Sequence, residues 1–187
     1  MFKKRKNIGI LGGTFDPPHS GHVFISHFSL IKLDLDEVWW IVTKKNPLKK
    51  KSSKYEIRLS NTKTFVTQKK IKIVEITDDA NLFSIDLIKF LKKKFPNIRF
   101  IWLMGIDNLE SFHLWKEWRN IFYNIPIAIF DRPSYSLSLY RSKALSFFRN
   151  RRINNKLAKK LKFMCPPKWV FLTGFLNSQS STQIRKR

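Results

Sequence analysis

Cysteine is nearly absent from this chain, and acidic residues are few. The single cysteine, Cys165, excludes an internal disulfide and a thiolate-rich zinc site. No apolar run is long enough to cross a bilayer, and the basic start lacks the apolar core and small-residue cleavage site of a signal peptide. The apolar fraction of 43% is ordinary for a folded protein. We therefore expect one globular domain over residues 1–187, cytoplasmic and without a membrane partner.

The shortage of acidic residues makes the chain strongly basic. Only 13 Asp and Glu residues accompany 37 Lys and Arg residues, which gives a formal net charge of +24. Such a charge favours polyanions: nucleic acid, an acidic membrane surface or phosphorylated small molecules. The lysine runs are scattered over termini, loops and helix ends, however, as on a solvated lysine-rich surface. The charge alone names no partner, and we do not expect nucleic acid to be one.

Six short apolar runs alternate with amphipathic segments. They read IGIL, EVWWIV, IKIVEI, IRFIWLM, IPIAIF and WVFL, and begin at residues 8, 37, 71, 98, 125 and 169. Near-continuous apolarity over so few residues is typical of strands that are covered on both faces. Strands separated by helices predict right-handed crossovers. The expected fold is α/β: a Rossmann-like, doubly wound, mostly parallel sheet with helices on both faces.

Three segments have helical spacing, at residues 22–33, 55–66 and 83–95. The positions that carry the pattern are Val23, Phe24, His27, Leu30 and Ile31 in the first segment, Ile57, Leu59 and Phe65 in the second, and Ile85, Leu87, Ile88 and Leu91 in the third. Residues 132–140 are serine-rich and predict a loop. The basic residues 141–162 predict a further helix.

The stretch GILGGTFDPPHSGH, residues 9–22, connects the first strand to the first helix. In an open parallel sheet, ligands bind beyond the carboxyl ends of the strands. Glycines there let a ligand approach the main-chain N–H groups, and the start of a helix adds unpaired N–H donors and a partial positive charge. Prolines stiffen the connection without removing a donor that the helix needs. The stretch predicts a polyphosphate site, with His19 and His22 on one side of the first helical turn.

Other roles exist for the two histidines. Near a helix start they can cap the helix or lie on the surface, and a metal site would need further ligands, of which only Asp16 is close in sequence. Neither alternative accounts for the glycines, the phenylalanine and the prolines just before them. The chain has no G-x-x-x-x-G-K-[ST] motif, and no G-x-G-x-x-G follows this strand, which argues against a P-loop and against a dinucleotide reductase.

GGTFDPPHSGH resembles the signature of the H-x-G-H nucleotidyltransferases, and in its fuller form that of the bacterial nicotinate-nucleotide adenylyltransferases. WLMGIDNLESFHLWKEW at 102–118 and SSTQIR at 180–185 resemble two further motifs of that family, in the same order and spacing. The resemblance implies a nucleotidyltransferase-type α/β fold. It also implies transfer of the adenylyl group of ATP to nicotinate mononucleotide, which yields nicotinate adenine dinucleotide and pyrophosphate in NAD biosynthesis.

Two alternatives to this activity stay open at this point. One is the same chemistry on a different acceptor, such as nicotinamide mononucleotide or phosphopantetheine. The other, suggested by the charge, is a basic, non-catalytic nucleic-acid-binding domain, whose affinity for RNA would fall steeply with salt.

The resemblance further implies roles for individual residues. The attacking phosphate is already an anion, so the site must supply alignment and charge neutralisation rather than a general base. His19, His22 and Arg185 are expected to be catalytic, and Mg2+ is expected to be held mainly by phosphates and water. The residues expected to bind ATP are Gly12, Gly13, Thr14, Phe15, Gly105, Asp107, Ser180, Ser181 and Thr182. Those expected to bind nicotinate mononucleotide are Ser84, Trp115, Lys49 and Arg132.

The segment beside the expected pyridine pocket departs from the family pattern. Where the family often has Y-T-x-D-T, this chain has residues 83–87, in which Ser84 keeps a hydroxyl but Phe83 and Leu87 do not. Trp115 is expected to stack on the pyridine ring, whereas Trp118 is expected to be buried.

Overall fold

The computed structural model describes residues 5–44, 52–76, 83–131 and 142–174. The strands in these ranges are β1 Lys6–Gly13, β2 Glu37–Val42, β3 Ile71–Ile73, β4 Ile98–Gly105, β5 Ile127–Phe130, β6 Arg152–Ile153 and β7 Trp169–Leu172. The helices are α1 Ser20–Lys32, α2 Tyr55–Phe65, α3 Ser84–Lys94, α4 Leu109–Phe112, α5 Trp118–Asn124 and α6 Lys143–Phe147. Short 3-10 helices span Ile106–Asn108, Arg149–Arg151 and Asn155–Phe163. The predicted loop at 132–140 lies outside the described residues.

These strands form one sheet in the order β3-β2-β1-β4-β5-β7-β6, with parallel pairing throughout the described part. From β1 the chain first builds outward through β2 and β3. It then crosses back to place β4 on the other side of β1. The strand order therefore reverses between β1 and β4, which is where an open α/β sheet binds its ligands. The predicted parallel, doubly wound architecture is confirmed.

Helices cover both faces of the sheet. Successive side chains of a strand point to opposite faces, and β1 shows this directly. Ile8 and Ile10 are buried in a cluster with the apolar side of α3, whereas Leu11 is buried in a second cluster with Ile25 of α1. All four apolar positions predicted for α3 are buried, as expected. Within the described residues, no helix combines the length and hydropathy needed to cross a bilayer.

The predicted helix over 141–162 is wrong as a single element. The segment is broken into α6, a 3-10 turn, β6 and the 3-10 helix Asn155–Phe163. Arg152 and Ile153 pair with Trp169 and Val170 of β7, which takes their main-chain groups into the sheet instead of a helix. The side chain of Asn154 then accepts the N–H of Lys156 at 2.9 Å and starts the next helical segment. The predicted strand 71–76 is likewise shorter and ends at Ile73.

The buried faces of two helices also differ from the predicted ones. In α2 the buried side chains are Arg58 and Thr62, while Ile57 is 52% exposed and Phe65 is 39% exposed. In α1, the predicted positions Val23, Phe24 and Leu30 are partly buried against the core, whereas His27 and Ile31 are exposed, and the fully buried side chains include two serines. In α2, hydrogen bonding at a buried polar face overrides the apolar pattern.

Candidate nucleotide-binding site

The connection from β1 to α1, residues 14–19, lies at the carboxyl edge of the sheet, next to the reversal of strand order. It follows Gly12 and Gly13, the last two residues of β1. A Cβ on Gly12 would lie 2.8 Å from Cη2 of Trp102, and one on Gly13 would lie 3.4 Å from Cε2 of Phe15. The buried ring of Trp102 therefore leaves no room for a side chain at position 12, whether or not a ligand binds there. The contacts expected between these glycines and ATP stay predictions.

Phe15 supports the connection from the core side. Its φ of 46° is in the left-handed region, which disfavours a non-glycine residue by about 1–2 kcal/mol. Its side chain is 1% exposed and stacks on Trp40, with ring centroids 4.8 Å apart. The indole N–H of Trp40 donates to the hydroxyl of Ser26 at 2.7 Å. The ring of His22 lies 4.7 Å from that of Phe15, so this stack also supports a predicted catalytic residue.

His19 and His22 form a reciprocal cap at the start of α1. Nδ1 of His19 accepts the N–H of Gly21 at 3.1 Å, and Nδ1 of His22 accepts the N–H of His19 at 3.2 Å. This is a capping box in which both partners are imidazoles. The two ring centroids are 3.8 Å apart, and His19 is 3% exposed. The helix start thus holds both rings together on one turn, as the spacing predicts.

The cap determines which ring nitrogen carries the proton. A nitrogen that accepts a hydrogen bond has no hydrogen of its own, so in the neutral ring the proton is on Nε2. His19 and His22 are therefore N–H donors at Nε2 while they cap the helix through Nδ1. The capping role and the predicted donor role use different atoms of the same side chains, and the two are compatible.

Asp16, the one acidic residue near the histidines in sequence, is engaged elsewhere. One of its carboxylate oxygens accepts the N–H of Ser53 at 3.0 Å, and the other accepts the Ser53 hydroxyl at 2.8 Å. The Nδ1 atoms of both histidines are likewise occupied by main-chain N–H groups. In the part of the chain that the structure describes, no group of three His, Cys, Asp or Glu side chains is arranged to hold a metal ion.

Gly105 and Asp107 lie just beyond the neighbouring strand. Gly105 is the last residue of β4, and Asp107 is in the one-turn 3-10 helix that follows. Asn108 donates from Nδ2 to the carbonyl oxygen of Gly105 at 3.3 Å, which holds this turn against the strand end. Because β1 and β4 are paired neighbours, their carboxyl ends lie side by side. The two motifs therefore border one site.

The predicted pyridine pocket draws on the start of α3 and on Trp115. Ser84 is the first residue of α3, and the side chain of the N-cap residue, Phe83, makes no capping hydrogen bond among the described residues. Trp115 is half-buried and packs on Phe112, with ring centroids 4.9 Å apart. Trp118 is also only half-buried, so the expectation of a buried Trp118 is wrong; Arg119 covers its ring instead, 5.0 Å from the centroid.

Lys116 brings a positive charge to the start of α3 that the sequence pattern does not reveal. Its Nζ lies 3.0 Å from Oδ2 of Asp86 and 4.7 Å from the ring centroid of Phe83. The ammonium therefore neutralises the one acidic side chain in the first turn of α3. An anionic ligand group near Ser84 would meet a cation there rather than an uncompensated carboxylate.

Arg58 of α2 is the main residue that sequence reasoning misses. Its side chain is 1% exposed, although an arginine in a polar helix pattern normally predicts the surface. It donates to four main-chain carbonyl oxygens, those of Ser53, Thr14, Thr43 and Lys44, at 2.9, 2.7, 2.9 and 3.0 Å. Burial lowers the pKa of the guanidinium, and the carboxylate of Asp16 partly offsets this effect.

Several predicted site residues lie outside the described ranges. They are Lys49, Arg132, Ser180, Ser181, Thr182 and Arg185. The structure thus brings together the residues predicted from the two central motifs, and the roles of the remaining residues stay predictions.

The fold and the site together define a class of protein. A parallel sheet whose order reverses beside β1, with a histidine-capped helix start beyond that strand, is an α/β fold of the nucleotidyltransferase type. The chain belongs to the cytidylyltransferase-like family, whose model matches residues 10–187.

Relatives of similar length include proteins with the name of one enzyme. Proteins named "Probable nicotinate-nucleotide adenylyltransferase" from a Ruegeria species and from Agrobacterium fabrum are each 38% identical to this chain. The alignments cover 96% of this chain and 96% of the Ruegeria protein, and 95% of this chain and 97% of the Agrobacterium protein. Among solved structures, the Plasmodium falciparum nicotinic acid mononucleotide adenylyltransferase complexed with NaAD superposes with a TM-score of 0.67. At 20% identity over 97% of this chain and 83% of that one, this likeness supports the fold.

Proposed function

We propose that this protein is a nicotinate-nucleotide adenylyltransferase that joins ATP and nicotinate mononucleotide. The observation that carries the proposal is the pair of imidazoles that cap α1 at the carboxyl end of β1, in a chain whose full-length relatives bear that name. The helix start supplies N–H donors and a positive potential, and the two Nε2–H groups add two more donors.

The reaction is an in-line displacement at the α-phosphorus of ATP. An oxygen of the mononucleotide 5′-phosphate forms a bond to that phosphorus, the bond to the bridging oxygen of the β-phosphate breaks, and pyrophosphate leaves. The nucleophile is already deprotonated, so no side chain has to remove a proton. The site contributes alignment and stabilisation of charge on the phosphoryl oxygens.

Five of the described residues have a place in this scheme. His19 and His22 donate from Nε2 to the oxygens of the triphosphate, and the main-chain N–H groups near Thr14 and Phe15 bind the same anion. Asp107, beyond β4, accepts from a ribose hydroxyl of the adenosine. Mg2+, once bound, would be held mainly by phosphates and water and would supply charge neutralisation for the leaving pyrophosphate, as expected of an ion that keeps several waters.

The acceptor binds beside the start of α3. Trp115 offers an aromatic face to the pyridine ring. The partial positive charge at the first turn of α3 favours a carboxylate there over a neutral amide, and the ammonium of Lys116 offsets the repulsion that Asp86 would otherwise exert. These charges support nicotinate mononucleotide as the acceptor in spite of the hydroxyls that are missing at Phe83 and Leu87.

The test is an acceptor panel. Purified protein is incubated with ATP and magnesium and with nicotinate mononucleotide, nicotinamide mononucleotide or phosphopantetheine, and pyrophosphate release is followed. We expect the highest kcat/KM with nicotinate mononucleotide, and no turnover after the divalent cation is chelated. A higher kcat/KM with nicotinamide mononucleotide would change the acceptor, and no turnover with any acceptor would refute the proposal.

A further inference from the structure

The buried face that α2 turns toward the nucleotide site is polar. The guanidinium of Arg58 joins three separate pieces of chain: the β1–α1 connection at Thr14, the residues after β2 at Thr43 and Lys44, and the segment before α2 at Ser53. All four acceptors are main-chain carbonyl oxygens. Arg58 therefore holds the course of the backbone at the carboxyl edge of the sheet.

The contact with Thr14 fixes the orientation of one peptide group. A peptide bond is planar and trans, so the carbonyl of Thr14 and the N–H of Phe15 point in opposite directions within one plane. The carbonyl oxygen lies 2.7 Å from Nη1 of Arg58, and the N–H of Phe15 consequently faces away from the guanidinium. The φ of 46° at Phe15 is a strained conformation that persists only where the surroundings enforce it.

The same connection is fastened a second time, on the other side of Phe15. The carboxylate of Asp16 accepts both the N–H and the hydroxyl of Ser53 at 3.0 and 2.8 Å. The carbonyl of Ser53 in turn accepts Nε of Arg58 at 2.9 Å. The residues on both sides of Phe15 are thus tied, directly or through Ser53, to one buried guanidinium.

We infer that Arg58 is a positioning residue for adenylyl transfer: without touching a substrate, it aims the main-chain N–H groups of the β1–α1 connection at the phosphates of ATP. This inference rests on the proposed function and extends it to a residue in α2. Lysine is not equivalent at this position, since an ammonium offers three donors from one point whereas a guanidinium offers five in a planar fork.

The chain provides a matched control for the loss of a buried cation. Lys162 is 8% exposed, and its Nζ donates to the carbonyl oxygen of Asp34 at 2.7 Å and to the Asp34 carboxylate at 2.5 Å. Asp34 precedes β2, so this contact lies at the amino edge of the sheet, opposite the proposed site. Arg58→Ala and Lys162→Ala both remove a buried cation that holds main-chain oxygen, but only the first change is next to the proposed nucleotide site.

The experiment compares Arg58→Ala, Arg58→Lys and Lys162→Ala with the unchanged protein. ATP affinity is measured by titration calorimetry, kcat and KM by pyrophosphate release per folded molecule, and Tm by calorimetry. We expect both Arg58 variants to raise the Kd for ATP about tenfold or more and to lower kcat about 100-fold, the scale of a misplacement of about 1 Å. Lys162→Ala should lower Tm and leave the ATP affinity, kcat and KM unchanged. Methylguanidinium should restore ATP affinity to Arg58→Ala at concentrations well below those that unfold proteins.

The outcomes separate this inference from the proposed function. Arg58→Lys with a lowered Tm but the original ATP affinity and kcat would overturn the inference, and so would methylguanidinium that restores Tm but not affinity. If Arg58→Ala does not fold, Arg58→Lys decides. An unchanged protein that binds ATP but transfers nothing to nicotinate mononucleotide would refute the proposed acceptor, while the comparison of ATP affinities would still test Arg58.

Discussion

His19 has two roles in this scheme, as the cap of α1 through Nδ1 and as a donor to the phosphates through Nε2. Replacement by alanine removes both roles, whereas replacement by asparagine removes only the donor. Nδ1 of His19 caps α1 by accepting the N–H of Gly21, and an asparagine side-chain oxygen makes the same kind of cap. Neither residue supplies the Nε2 donor. Loss of one preorganised donor to a developing anion lowers kcat about 100- to 1000-fold, or about 2.7–4 kcal/mol. Loss of the cap lowers the free energy of unfolding by about 1 kcal/mol.

The loss of kcat and the loss of stability are measured by different assays. We expect His19→Ala and His19→Asn to lose turnover equally, in pyrophosphate release with saturating ATP and nicotinate mononucleotide. In thermal unfolding, His19→Ala should melt about 2–4 °C below His19→Asn, the shift that about 1 kcal/mol gives in a domain of this size. His27→Asn is the control, since His27 is exposed on the same helix. If His19→Asn keeps the original kcat, the imidazole is a cap and not a donor to the phosphates.

Three further predictions follow from packing and charge. Gly12→Ala should destabilise the protein by about 1–3 kcal/mol in urea unfolding, because the new Cβ would lie 2.8 Å from Trp102; an unchanged midpoint would contradict this. Lys116→Met should raise KM for nicotinate mononucleotide about two- to fivefold, the scale of a partly exposed charge pair, with KM for ATP unchanged. Equal effects on the KM of both substrates would show that Lys116 does not act at the acceptor site. Hydrogen bonds from Lys6 and Trp39 hold the pKa of Glu37 below its ordinary value, so its stabilising effect is fully present above that ordinary value and is lost as pH falls through the lowered pKa. Glu37→Gln should therefore show a smaller drop in Tm on acidification, and an equal drop would contradict the assignment.

The sheet and the β1–α1 connection were predictable because their signals are local. Apolar runs of strand length predict the layers of the fold, and the motif at residues 9–22 indicates which strand end borders the candidate site. The capping geometry of His19 and His22 follows from their spacing and from their place at a helix start. These features depend on neighbours in the sequence, and the structure agrees with them closely.

Arg58 and Lys116 were not predictable because their partners are distant in the chain. Arg58 contacts Thr14, 44 residues away, and Lys116 contacts Asp86, 30 residues away. In the sequence, both residues look like solvated surface cations. Their environments exist only after α2 has packed against the ends of β1 and β2, and after the segment that follows α4 has packed beside the start of α3. The exposed Ile57 shows the converse, since an apolar helix position indicates burial only where a sheet is there to cover it.

The most direct test of the account is a crystal structure of the protein with a non-hydrolysable ATP analogue and magnesium. We expect the phosphates to lie over the first turn of α1, with oxygens about 3 Å from Nε2 of His19 and of His22 and within reach of the N–H of Phe15. An analogue whose phosphates occupy another part of the molecule, with this helix start left to solvent, would contradict it.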